Sequence, residues 1–158
     1  MSDAISPRPR LVGGRHNFAI VASQFNAPYV QGLVDHAMEE LRRLVPNART
    51  SIHQVPGAFE IPIVVRELAA RKKANTIIAI GVILKGQTDH AANLSRSVTD
   101  ALQRIALQYG VPVINAVLTL NTEFQARERC LEERINRGTE AARAAVGIAN
   151  VMTDLREK

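Results

Sequence analysis

Phe25 comes directly after a short apolar run, at a point where core packing does not require an aromatic. Its ring suits stacking on a flat heterocycle; equally, it suits a hydrophobic staple closing a helix start. In Val55-Pro56-Gly57-Ala58-Phe59-Glu60-Ile61-Pro62, Glu60 is a carboxylate set among apolar residues, and Gly57 permits close backbone approach. A carboxylate there either meets a cation or ligand hydroxyls, or serves the positive end of a helix. Gly86-Gln87-Thr88 lies between an apolar run and a helical pattern, so its backbone N–H groups and the Thr88 hydroxyl can face an anion. It lacks the glycine spacing and Lys-Ser/Thr pair of a P-loop. His90 follows at once; it could move a proton beside a bound phosphate, or be a surface histidine in a first helical turn. Arg129 offers a guanidinium suited to phosphate, although among so many arginines and glutamates it also reads as part of a solvated face. Cys130 reads as small apolar packing. His16, His36 and His53 have no metal-ligand spacing, so no metal is expected.

These residues need a scaffold, and the sequence alternates strand-like and helix-like segments. Asn17–Ser23 reads as a strand. Asn26 then caps a helix with Pro28 in its first turn and Val30, Leu33, Val34, Met38, Leu41 and Leu44 on one face, ending at Pro46-Asn47. A second strand lies near Thr50–Gln54, followed by a helix to about Ala70. Thr76–Leu84 reads as a strand buried on both faces. A long helix ends at Tyr109-Gly110, and Val111–Leu118 is the fourth strand. Thr122 and Gln125 have capping-box spacing and open another helix. Gly138 is expected to break that helix, with a final Ala-rich helix from about Thr139. Glu123 with Arg127, and Glu133 with Arg137, stand at favourable i,i+4 spacing. Four strands separated by helices predict a three-layer, doubly wound α/β domain whose ligands bind beyond the carboxyl ends of its strands. The loops above lie at those ends.

The chain has 158 residues, enough for one domain, with 46% hydrophobic and 22% charged residues, which excludes disorder. Residues 1–15, with Pro7-Arg8-Pro9-Arg10 and Gly13-Gly14, read as a mobile arm before a single domain over 16–158. No apolar run is long enough to span a membrane, and no secretory signal is expected. With one cysteine, a cytoplasmic location is expected. Lys and Arg number 20 against 15 Asp and Glu, giving +5. Four Phe, two Tyr and no Trp leave little for base stacking, so the charge reads as a solvated surface or a small-anion site rather than a nucleic-acid stripe.

Taken in order, Phe25-Asn26, the segment 55–62, Gly81-Val-Ile-Leu-Lys-Gly-Gln-Thr-Asp-His90, Gly110-Val-Pro-Val-Ile114, Val117-Leu-Thr119, Glu123–Arg129 and Asn136-Arg137-Gly138 resemble the 6,7-dimethyl-8-ribityllumazine synthase family of riboflavin biosynthesis. The resemblance covers nearly everything from Asn17 to Met152. It implies a flavodoxin-like domain with a four-stranded parallel sheet, assembled as a homopentamer or several pentamers with active sites between subunits. It implies a transferase that condenses 5-amino-6-(D-ribitylamino)uracil with 3,4-dihydroxy-2-butanone 4-phosphate, releasing phosphate and water, without metal or organic cofactor. Riboflavin synthase is an implied further partner.

Carried over by position, Phe25 would stack on the pyrimidine, with Asn26, Val82, Ile83, Leu84 and, at a position the family supplies from the neighbouring subunit, Asn115 among the residues that bind the pyrimidine or the ribityl chain. Ala58, Phe59 and Glu60 would hold the ribityl chain. Gln87, Thr88 and, from the adjacent subunit, Arg129 would hold the phosphate, and His90 would transfer protons. The sequence also departs from the family pattern. Ala91-Ala92 stand where an aromatic and an acid are usual, Asn115 where a Phe is frequent, and Glu133 where a Lys is frequent. The stretch 130–135 lacks the small residues of many shell-forming members. Together with Pro7 and Pro9, which cannot donate to a strand ladder, this favours a pentamer or paired pentamers over a closed shell. An assembly-forming scaffold or a flavin- or pteridine-binding relative with weakened catalysis is the alternative reading.

Overall fold

The computed structural model describes residues 2–9, 15–86 and 88–157. Four strands, β1 (Asn17–Ser23), β2 (Arg49–Val55), β3 (Thr76–Leu84) and β4 (Val113–Leu120), form one sheet in the order β2-β1-β3-β4. Every pairing is parallel, with Ile20 opposite Ile52 and Ile78, and Ile80 opposite Ala116. The helices are α1 (Ala27–Leu44), α2 (Ile61–Ala70), α3 (His90–Tyr109), α4 (Glu123–Cys130) and α5 (Arg137–Glu157). A short 3₁₀ turn, Ala58–Glu60, precedes α2.

Strand alternation divides the core in two. Phe18, Ile20, Ile78, Ile80 and Val82 face α1, α4 and α5, while Ala19, Val21, Ile77, Ala79 and Ile83 face α2 and α3. The central strands are therefore apolar on both sides, as expected for Thr76–Leu84. Each fully buried isoleucine contributes roughly 1.5–3 kcal/mol relative to exposure. The expected doubly wound architecture is the one observed.

Local signals behave as the sequence predicts at several points. The Thr122 hydroxyl accepts from the Gln125 amide at 3.1 Å. The return bond of this cap goes one residue early, to the Asn121 N–H, at 2.9 Å. Asn26 does stand at the head of α1, but its side chain caps nothing there. It sits in the left-handed region at φ 59°, which asparagine tolerates, and its Nδ2 donates to the Val82 carbonyl at 2.7 Å. It thus ties the end of β1 to the end of β3.

The C-terminal third needs three corrections. β4 begins at Val113 rather than Val111 and runs on to Leu120. Gly138 breaks no helix: α4 has already ended at Cys130, and Gly138 is the second residue of α5. Glycine is required there because a Cβ would overlap the Leu33 carbonyl of α1, so the position serves close packing. Glu133 falls in the turn before α5, and Arg137 pairs instead with Glu140 at 2.6 Å.

Candidate active site

β1 and β3 are neighbours, but their crossover helices leave on opposite faces, which opens a crevice at their carboxyl ends. A cavity of about 440 Å³ occupies that position. Ser23, Phe25 and Asn26 enter it from the end of β1, and Val82, Ile83 and Leu84 from the end of β3. The loop after β2 supplies Gly57, Ala58, Phe59 and Glu60. Gly86, Thr88, His90 and Ala91 complete it from the start of α3. Ten of the thirteen candidate residues from the sequence, Phe25, Asn26, Ala58, Phe59, Glu60, Val82, Ile83, Leu84, Thr88 and His90, therefore line one cavity. Gln87 lies outside the described residues.

Backbone bonds hold the loops in register. The Gln24 N–H donates to the Val55 carbonyl at 2.8 Å, and the Lys85 N–H to the Leu120 carbonyl at 2.9 Å. Phe25 is 72% exposed and Phe59 68%, so neither ring is committed to the core. That exposure removes the staple reading for Phe25, since a staple would bury it. Glu60 is half-buried at the head of α2 and its side chain makes no capping bond. Its Oε1 would lie 3.2 Å from a Cβ at Gly57, so glycine there leaves room for the carboxylate to face the cavity. His90 is exposed as the first residue of α3, and its backbone N–H reaches the Thr88 hydroxyl at 3.4 Å.

Two candidates do not line this cavity. Asn115 is exposed on edge strand β4, where its Nδ2 donates to the Thr99 hydroxyl and its Oδ1 accepts from the Val117 N–H, both at 3.1 Å. Arg129 lies on α4 with its side chain only 8% exposed, which overturns the solvated-face reading. Its Nη2 donates to the Asp3 carboxylate at 3.3 Å, Glu128 stands 3.7 Å from Nη1, and both Nε and Nη1 are buried without a hydrogen-bond partner among the described residues. Cys130 beside it is fully buried, and burial pushes its thiol up to about 12, only partly offset by Arg129, which supports packing rather than nucleophilic chemistry.

Sequence reasoning assigned no role to Arg137. This side chain is 5% exposed, donates to the Ala4 carbonyl at 2.8 Å and to Glu140, and keeps Nε and Nη2 unpartnered. It lines a second cavity of about 330 Å³ with Asn115. Nothing in the sequence hinted at its burial, since Gly138 beside it read as a helix breaker and the close approach of α1 shows only in the fold. A larger concavity of about 640 Å³, lined by Arg15, His16, Asn17, Asn47 and Arg49, lies at the opposite, amino-terminal edge of the sheet. Parallel sheets rarely place chemistry there, and none of the candidate residues reaches it.

The family described as 6,7-dimethyl-8-ribityllumazine synthase matches residues 15–153. The chain belongs to the lumazine synthase family. It is similar to a 6,7-dimethyl-8-ribityllumazine synthase of Paraburkholderia phymatum, 39% identical over 151 residues, which is 95% of this chain and 86% of that protein. It is likewise similar to those of Burkholderia mallei and Burkholderia pseudomallei, 39% identical over 149 residues, covering 94% of this chain and 84% of each. The match includes every loop of the crevice, so the lumazine synthase fold and the cavity belong to the same stretch of chain. Among the described residues, no helix is long and apolar enough to cross a membrane.

Proposed function

We propose that this chain condenses 5-amino-6-(D-ribitylamino)uracil with 3,4-dihydroxy-2-butanone 4-phosphate to 6,7-dimethyl-8-ribityllumazine, releasing phosphate and water. The observation that carries this is the convergence on one cavity of an exposed aromatic ring, a hydroxyl beside a helix start, and a carboxylate and an imidazole that have no side-chain hydrogen bond among the described residues. Phe25 stacks on the pyrimidine, with Asn26 and Val82–Leu84 forming the floor beneath it. The Ala58 and Phe59 backbone and the Glu60 carboxylate take the ribityl hydroxyls. Thr88 holds the phosphate at the α3 amino terminus, where the helix dipole favours an anion, and Gln87 joins it on the family resemblance alone.

His90 adjoins that anion site. The amine of the pyrimidine adds to the ketone and water departs to leave an imine; elimination of phosphate then requires a proton to leave carbon. The enol left behind becomes a ketone, and the ribitylamino nitrogen closes the ring on that carbonyl with loss of a second water. His90 is the group positioned to carry those protons. The rest of the acceleration comes from holding two substrates together. Arg129 and Asn115 stand away from the cavity of their own chain, so the site is completed by a neighbouring subunit in a homopentamer. The groove between α2 and α3, lined by Phe59, Pro62, Ile63, Val98 and Ile105, gives that neighbour an apolar seat.

The test is a two-substrate kinetic comparison. Arg129→Ala should raise KM for the phosphate substrate and leave KM for the pyrimidine near the parent value. Unchanged dependence on the phosphate substrate would refute the anion-site assignment.

A further inference from the structure

We propose that Ser2–Pro9 form a strap in which the Asp3 carboxylate competes with substrate phosphate for Arg129. This rests on the reading that Arg129 holds the phosphate. Among the described residues, Asp3 is the one side chain accepting a hydrogen bond from that guanidinium. Among the described residues Nε and Nη1 are buried without a hydrogen-bond partner, Nη1 having only the Glu128 carboxylate at 3.7 Å as an ion pair, so Arg129 has capacity for an oxyanion larger than one carboxylate oxygen.

The strap is fastened at three further points. The Arg137 Nη1 donates to the Ala4 carbonyl at 2.8 Å, and the Arg143 Nη1 to the Ser6 carbonyl at 2.9 Å. Arg8 donates twice to Glu40, from Nε at 3.3 Å and Nη2 at 3.2 Å. Glu40 is 2% exposed and also accepts from Arg143, which makes it a fixed anchor. Asp3, by contrast, is 74% exposed. With Arg129 buried, the pair is open to solvent on the Asp3 side alone, and it exchanges more readily than the Arg8 end, which a buried carboxylate shared with Arg143 holds.

The strap therefore opens from its Asp3 end while staying tethered at Glu40, which keeps the competing carboxylate at high local concentration. Substrate sees only the fraction of sites with Arg129 uncovered, and its apparent affinity falls by that fraction. The strap also bonds Arg137 through Ala4 and lines the Asn115 cavity with its own Ser6, so it covers the face that the neighbouring subunit's substrate would approach.

The experiment is calorimetric titration of the full-length assembled protein with inorganic phosphate, comparing the parent with Asp3→Asn, Asp3→Glu and Arg129→Ala. Asp3→Asn should bind phosphate roughly three-fold tighter, the size expected for loss of one exposed ion pair. Asp3→Glu should return to the parent affinity. In turnover, Asp3→Asn should lower KM for the phosphate substrate with kcat unchanged. Asp3→Asn binding phosphate no tighter than the parent, while Arg129→Ala loses it, would overturn the strap and leave the anion site intact. Arg129→Ala binding phosphate as the parent does would overturn the anion site, and the strap's role with it.

Discussion

His90 has no hydrogen bond to its ring among the described residues and stands exposed at the cavity mouth, so its protons are available to a bound substrate. Replacing it with alanine should lower kcat by about 10²-fold or somewhat more, with the assembly and Tm unchanged. Steady-state rates on folded protein check this; an unchanged kcat would leave His90 an ordinary first-turn residue. Phe25 makes the complementary case. Its ring is exposed, so Phe25→Ala should leave stability within about 0.5 kcal/mol. The same change should raise KM for the pyrimidine about five-fold or more, the worth of one aromatic stack. Phe25 was legible because it stands just past the end of β1, where packing does not demand an aromatic, and His90 because it opens a helix beside Thr88; for each the sequence also allowed a plain structural role. Arg129 and Arg137 were not legible as buried. Their burial depends on Asp3, Ala4 and Glu140, contacts that no local period encodes.

At the scale of elements, boundaries follow local chemistry where a cap or a run of β-branched residues fixes them, and drift where a tertiary contact decides. Thr122 caps α4 as its spacing predicts, and Thr122→Ala should cost about 1 kcal/mol, read from the denaturation midpoint. Gly138 illustrates the opposite case. By composition it is a helix breaker, yet it lies inside α5 because α1 approaches too closely for any side chain. Gly138→Ala should therefore destabilise the fold by about 1–3 kcal/mol, although alanine is the better helix former. A neutral or stabilising result would show that α1 and α5 can separate at little cost. The Asn26 side chain was read as a helix cap and instead bonds the Val82 carbonyl, because a left-handed backbone turns it across the crevice.

The whole molecule carries one ionic junction that ties three distant segments. Burial acts to raise the Glu40 carboxyl, but the hydrogen bonds and charges of Arg143 and Arg8 outweigh it and hold it below its ordinary 4.5. A carboxyl depressed in the folded state contributes stability above its unfolded value and loses it as pH falls through the lower folded value. Denaturant unfolding should therefore show stability declining as pH drops below about 4.5, and Glu40→Gln should flatten that decline. Identical slopes would remove Glu40 from the acid response. Shared sites make a second prediction at this scale. Co-assembling His90→Ala with Arg129→Ala subunits should restore activity at roughly a quarter of the interfaces, because some pair two intact halves. No recovery in verified mixed assemblies would mean that each site lies within one subunit.

The most direct measurement is formation of 6,7-dimethyl-8-ribityllumazine by the purified, assembled protein, followed optically with both substrates over the uncatalysed background. Saturable, protein-dependent formation that is sharply reduced in His90→Ala is the result predicted here. A folded and assembled protein giving no product above background would contradict the proposed reaction and the roles assigned to Phe25, Glu60, His90 and Arg129.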